Sequence, residues 1–226
     1  MKIKRLIVSV LALSMLMGMP VFACEQSEHH HKSTKEIVEE AVENNFSIGE
    51  VKGNVYENPF FNVRIEAPEG YNFNSYGLMT IVNNYSTTDK AKEITKRLVE
   101  VALSQDYAVP LLNADNGSNS ELEILVGYVA DNTDDYLNES ALIESKLDNI
   151  ADSFKSRGFS DVKTSLGTTT FLGEEHPCMD ITGTIDGTTY NQKYVCIPKD
   201  GYVLVIGFGG SEQEDFAPIT NATKLN

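Results

Sequence analysis

The sequence predicts an α+β domain, a largely antiparallel sheet flanked by helices. Three observations carry that expectation. Residues 88–105 and 138–157 repeat apolar side chains at the three-to-four spacing of an amphipathic helix. From residue 158 onward the chain reads as successive strands, and two of the joints are Asp186-Gly187 and Asp200-Gly201, a dipeptide that favours two-residue hairpins. Strands and helices do not alternate as a doubly wound parallel sheet would require.

The chain opens with Met1-Lys2-Ile3-Lys4-Arg5, a short cationic stretch, followed by an apolar run from Leu6 to Met19 that Pro20 ends. The run is shorter than the roughly 20 apolar residues of a membrane span, and its charge, length and small residue at Ala23 fit an export signal over residues 1–23. Val21-Phe22-Ala23-Cys24 resembles a lipobox, in which the cysteine after the cut carries lipid; Phe22 is bulkier than that pattern usually has. Ordinary cleavage after Ala23, giving a freely secreted chain, stands beside it. There are three cysteines, Cys24, Cys178 and Cys196, and an odd count in an exported chain leaves one thiol to account for. Acylation of Cys24 would leave the other two to pair.

Residues 24–52 read as a tether with one short helix. Glu25 to Ser33 is polar and aperiodic, and Ser33 with Glu36 forms a capping-box pattern that opens a helix to about Asn45. Residues 53–226 read as the domain. Phe61, Val63, Ile65 and Ala67 alternate with polar residues, as in a strand with one buried face, and Pro68-Glu69-Gly70 stops it. Leu78 to Val82 is a short apolar run. Thr88 to Gln105 is the first expected helix, with Ala91, Ile94, Leu98 and Val101 on one side. Tyr107 to Leu112 and Leu122 to Val129 are expected to pair through the Asn116-Gly117 region. The second helix, Asn138 to Arg157, buries Leu142, Ile143, Leu147, Ile150 and Phe154, and Gly158 ends it. Five strands follow: Val162–Leu166, Thr168–Phe171, Cys178–Thr184, Thr188–Ile197 and Tyr202–Phe208. A short closing helix is expected after Ser211.

Tyr56-Glu57-Asn58-Pro59-Phe60-Phe61-Asn62-Val63, then Ala67-Pro68-Glu69-Gly70-Tyr71, resembles the opening of a family of poorly characterised secreted lipoproteins of Gram-positive bacteria with PsbP-like domains. The stretch from Gly173 to Gly209, with Pro198-Lys199-Asp200-Gly201-Tyr202, is similar too. The resemblance covers roughly residues 53 to 226. It implies a PsbP-like α/β/α sandwich and a binding or assembly module, and it carries over no catalytic residues.

The chain has 18 Lys and Arg against 33 Asp and Glu, a formal net charge of −15. Loss of Lys2, Lys4 and Arg5 with the signal makes it more acidic still. That balance opposes nucleic-acid backbones and anionic lipid surfaces, so any membrane contact is expected through the lipid alone. Cys178 and Cys196 lie on two strands joined at Asp186-Gly187. A three-residue loop or a bulge would set them opposite one another, whereas a strict two-residue turn sets Cys178 against Val195. A cross-strand disulfide is expected in an oxidising compartment; a redox pair is the alternative, without the C-x-x-C helix start that lowers a thiol pKa.

His29, His30 and His31 are the candidate metal ligands, although ordering a flexible tether around an ion costs entropy. Glu174-Glu175-His176 matches neither H-E-x-x-H nor H-x-x-E-H, since Leu172 occupies the place of the second histidine. Gly207-Phe208-Gly209-Gly210 lacks the P-loop lysine and reads as a bulge or strand end. In a chain this acidic, paired carboxylates are expected by chance. The expectation is a surface-anchored binding or assembly domain without catalysis or cofactor, its partner an envelope protein or small ligand. The alternative is a cell-envelope hydrolase or metal-handling protein. An exposed aromatic patch around Phe60, Tyr71 or Phe73 would favour the first, and a pocket joining His176 to two or more carboxylates the second.

Overall fold

The computed structural model describes residues 46–75, 109–115, 120–128, 138–211 and 216–225. Numbered in chain order, the strands are β1 (Glu50–Lys52), β2 (Val55–Asn58), β3 (Val63–Glu66), β4 (Asn72–Ser75), β5 (Val109–Asp115), β6 (Ser120–Tyr128), β7 (Ser160–Phe171), β8 (Glu174–Ile185), β9 (Thr188–Lys199), β10 (Tyr202–Gly210) and β11 (Thr223–Lys224). The helices are α1 (Glu139–Glu144), α2 (Leu147–Ser156) and α3 (Ala217–Thr220). Four strands form one sheet in the order β1-β2-β3-β11, and seven form another in the order β4-β5-β6-β10-β9-β8-β7. Every pairing among the described strands is antiparallel.

This corrects the expected fold class. Of the described residues 60% lie in strands and about 15% in helices, so the architecture is mostly β and not an α+β sandwich flanked by helices. Two physical causes are visible. The carboxy-terminal strands run far longer than their apolar cores suggest: residues 160–171, read as two strands, form one strand that pairs with β8 along its length apart from a bulge after Ser160. Apart from β3, which the alternation over Phe61–Ala67 marks, the second sheet is built from strands of two to four residues, too short to carry a periodic signal. The expected helix over 138–157 is also divided, at Ser145-Lys146, into α1 and α2. Asn138 caps the first by accepting from the backbone N–H groups of Ser140 and Ala141. The helix expected over 88–105, the apolar run 78–82 and the segment before residue 46 lie outside the described residues.

Three hairpin turns set the meander β7-β8-β9-β10. Leu172-Gly173, Asp186-Gly187 and Asp200-Gly201 all have positive φ at both central residues, the condition of the turn whose twist matches paired strands. Leu172, at φ 52°, occupies the left-handed region without the ease that Asp or Gly has there.

The sheet's two faces are closed differently. On one, Leu122, Ile124, Leu204, Ile206, Phe208 and Val195 meet Tyr56, Val63 and Ile65 of the small sheet in a single core. On the other, Val203, Val205, Met179 and Ile181 pack with Leu142 and Ile143 of α1 and Phe154 of α2. The folded unit starts upstream of residue 53: Ile48 is buried, and Phe46 stacks on Tyr202 at 4.0 Å. The Tyr56–Val63 motif is a structural corner. Asn58 is fully buried and donates to Ser47 O and Tyr56 Oη, while its Oδ1 accepts from the backbone N–H groups of Phe60 and Phe61.

Candidate functional site

Among the described residues, a cleft lies where the edge of the small sheet meets the β7–β8 turn. It holds about 1100 Å³ and is lined by Glu57, Arg64, Leu172 and Gly173 with the segment 220–225. β3 and β11 position its charges: Thr223 pairs with Arg64, and Arg64 in turn pairs with Glu57. Arg64 Nε lies 3.6 Å from Glu57 Oε1, and Lys224 Nζ lies 2.6 Å from Glu174 Oε1. That ion pair holds the exposed Glu174 carboxyl below its ordinary range. β11 is the outer strand of its sheet, so backbone groups as well as charges border the cleft. Charges of both signs, a strand edge and two leucines, Leu172 and Leu225, form a surface suited to an extended polar ligand.

A second polar assembly crosses the large sheet on its helix-covered face. Asn113 of β5 opposes Glu123 of β6, and Asp115 opposes Glu121. Gly207 of β10 lies between Glu123 and Tyr194 of β9. A Cβ on Gly207 would stand 2.2 Å from Tyr194 Cε1, so the glycine lets the tyrosine ring cross β10. Its hydroxyl donates toward Glu123 Oε2 and Gln192 Oε1, each at 3.3 Å, and Asn113 Nδ2 donates to Glu121 Oε1. Burial pushes the Glu123 carboxyl up to about 8, with the Glu121 carboxylate adding to the rise and the Tyr194 hydroxyl opposing it. Burial likewise pushes Glu121 up to about 7, opposed by the Asn113 hydrogen bond and reinforced by Asp115. Neither carboxylate stands out in the sequence, where paired carboxylates are expected by chance in so acidic a chain. The available signal was Gly207 and Gly209, two residues apart in an otherwise apolar strand. The stretch Gly207-Phe208-Gly209-Gly210 forms the last four residues of β10, a strand end as expected, and neighbouring side chain and backbone cross Gly207 and Gly209.

The disulfide expectation is corrected. Cys178 and Cys196 are both free and buried. The Asp186-Gly187 turn is a strict two-residue turn, with Ile185 opposite Thr188 and Met179 opposite Tyr194. Cys178 therefore lies level with Val195, and the two thiols point to opposite faces, Cys178 into the inter-sheet core and Cys196 under the helices. Burial pushes the Cys196 thiol up to about 12. Burial also raises Cys178, opposed by Lys193, whose Nζ is 3.2 Å from its sulfur and which also bonds Asp180.

His176 sits within β8, where its Nδ1 is 2.8 Å from Glu139 Oε2 and its ring meets Phe171 edge-on at 5.5 Å. Neither His176 nor Glu139 lines the cleft. Phe60 is buried, and Tyr71 and Phe73 pack partly buried against the core, so these three do not form the exposed aromatic patch considered above. Cys24, His29, His30 and His31 lie outside the described residues. Among the described residues, no group of three or more His, Cys, Asp or Glu side chains is arranged to hold a metal ion, and no helix is long and apolar enough to cross a membrane.

No protein-family model matches the chain, and no curated protein matches it in sequence.

Proposed function

We propose that the chain is a cell-surface binding or assembly module without catalysis, exported by residues 1–23 and held at the membrane by lipid on Cys24. The observation that supports this reading is the cleft at Arg64 and Lys224. It places two cations, the Glu57 carboxylate and an outer strand around one open space. An extended polar ligand, such as a segment of an envelope protein, can pair with the strand edge and exchange charges with the rim. The acidic mature chain directs the ligand's choice away from nucleic acid. A hydrolase reading would need His176 in a pocket with carboxylates, and its hydrogen bond to Glu139 lies outside the cleft.

The test is a photo-crosslinking residue placed at Thr223 in the full chain on intact cells. One dominant adduct that disappears with Arg64→Glu and Lys224→Glu is expected. An adduct pattern indistinguishable from that of a crosslinker at Lys155, an exposed position on α2, would contradict the reading.

A further inference from the structure

Two buried acceptors face each other without a donor between them. Asn113 and Glu123 are directly opposed across β5 and β6, with 4% and 3% of their surfaces exposed. Asn113 Oδ1 and Glu123 Oε1 have no hydrogen-bond partner. Opposed residues carry Cβ atoms about 4.5–5.5 Å apart, which brings the amide and carboxyl heads within reach. Two lone-pair oxygens cannot satisfy one another, and an unsatisfied buried acceptor bears its full desolvation penalty. Exchanging the Asn113 oxygen and nitrogen would not help. It would aim Nδ2 at Glu123 but turn Oδ1 against the Glu121 oxygen that Nδ2 now serves.

We propose that the folded chain holds Glu123 as the neutral acid, its proton donated to Asn113 Oδ1. Tyr194, Glu123, Asn113 and Glu121 then form one directed hydrogen-bond chain across the sheet. The Tyr194 hydroxyl donates to Glu123 Oε2, Glu123 Oε1–H to Asn113 Oδ1, and Asn113 Nδ2–H to Glu121 Oε1. One proton satisfies both orphaned oxygens and removes one of two neighbouring buried charges. The groups facing Glu123 agree with this. On its own strand stands Glu121, on β5 Asn113 and Asp115, and on β9 Tyr194 and Gln192, while β10 presents glycine. Among the described residues, no Lys, Arg or His pairs with either glutamate. The charge is left on Glu121, the less buried of the two.

The consequence is that folding takes up a proton. The Glu123 carboxyl is raised in the folded chain and ordinary in the unfolded one, so its contribution is complete at acid pH and is lost as pH rises toward about 8. Glu121, raised to about 7, adds a second linked proton over the lower part of the same window, whereas the buried thiols and tyrosines, also raised, act only above it.

Urea denaturation of the mature chain from about pH 5 to about pH 8.5 tests this. The unfolding constant is expected to rise by up to about tenfold per pH unit for each linked carboxyl, with Glu123 carrying the rise beyond about pH 7. Glu123→Gln, whose amide donates to Asn113 and accepts from Tyr194 as the neutral acid does, is expected to lose most of that rise. An equal rise in the variant overturns the proposal. So does a Ca²⁺-dependent gain in stability at neutral pH that the variant lacks, because a cation would then occupy the oxygens. If the variant does not fold, Glu121→Gln decides, since it removes the neighbouring carboxyl and keeps Glu123. A stability that still falls as pH rises toward about 8 supports the proposal, and one independent of pH overturns it.

Discussion

Asn58, at the inter-sheet core, and Asn113, on the opposite face of the large sheet, are both buried asparagines in strands, yet one is closed chemistry and the other is open. Asn58 uses both amide protons and both carbonyl lone pairs, locking Ser47, Tyr56, Phe60 and Phe61 into one corner. Asn113 uses its amide toward Glu121 and leaves its carbonyl oxygen without a donor. The difference teaches that burial alone does not separate a structural polar residue from a chemically poised one. The count of satisfied donors and acceptors does, and it places the unfinished chemistry of the described fold on β5 and β6.

The comparison can be broken from its stronger side first. Asn58→Ala removes four hydrogen bonds and strands buried backbone donors, each worth about 1–3 kcal/mol when unsatisfied. A loss of at least about 3 kcal/mol in urea denaturation is expected, and it should not change with pH. Gly207→Ala comes next. Its Cβ would strike the Tyr194 ring, which has to leave Glu123, at a cost of about 1–3 kcal/mol for an overpacked site. Loss of the Tyr194 hydrogen bond, which opposes the rise at Glu123, should extend the pH dependence rather than remove it.

The cysteines sharpen the register on which the row depends. Alkylation of the chain unfolded without reductant should label Cys178 and Cys196 separately, and reductant should leave the melting temperature unchanged. A bridged peptide pair would require a different β8–β9 register. The smallest stability effect is expected at the cleft. Charge reversal at Lys224 breaks an exposed ion pair, which should leave the melting temperature within error while abolishing the crosslink at Thr223.

How much of this was legible follows from residue pattern. The Asp-Gly turns and alternating apolar residues marked β8 to β10, and Phe61 to Ala67 marked the strand whose inward residues are all buried. The same turn contained the answer on the cysteines, because a two-residue loop puts Cys178 level with Val195. The rest of the small sheet was not legible: β1 and β11 are held by pairing and by the core above them rather than by any periodicity of their own. Residues 46–52 were read as tether because Phe46 and Ile48 give no periodic pattern, though both pack on the core. The polar row was hidden by the rule that a strand's polar residues face water. Glu121 and Glu123 alternate with Leu122 and Ile124, and only the long-range crossing of Tyr194 over Gly207 shows that their face is closed.

The protonation of Glu123 is the claim on which the row stands, and the ¹³C carboxyl resonance of that side chain at neutral pH measures it directly. The predicted result is a neutral carboxylic acid that ionises only toward about pH 8, with Asn113→Leu shifting that transition. A resonance already that of a carboxylate at pH near 6, unchanged by the Asn113 substitution, would contradict it.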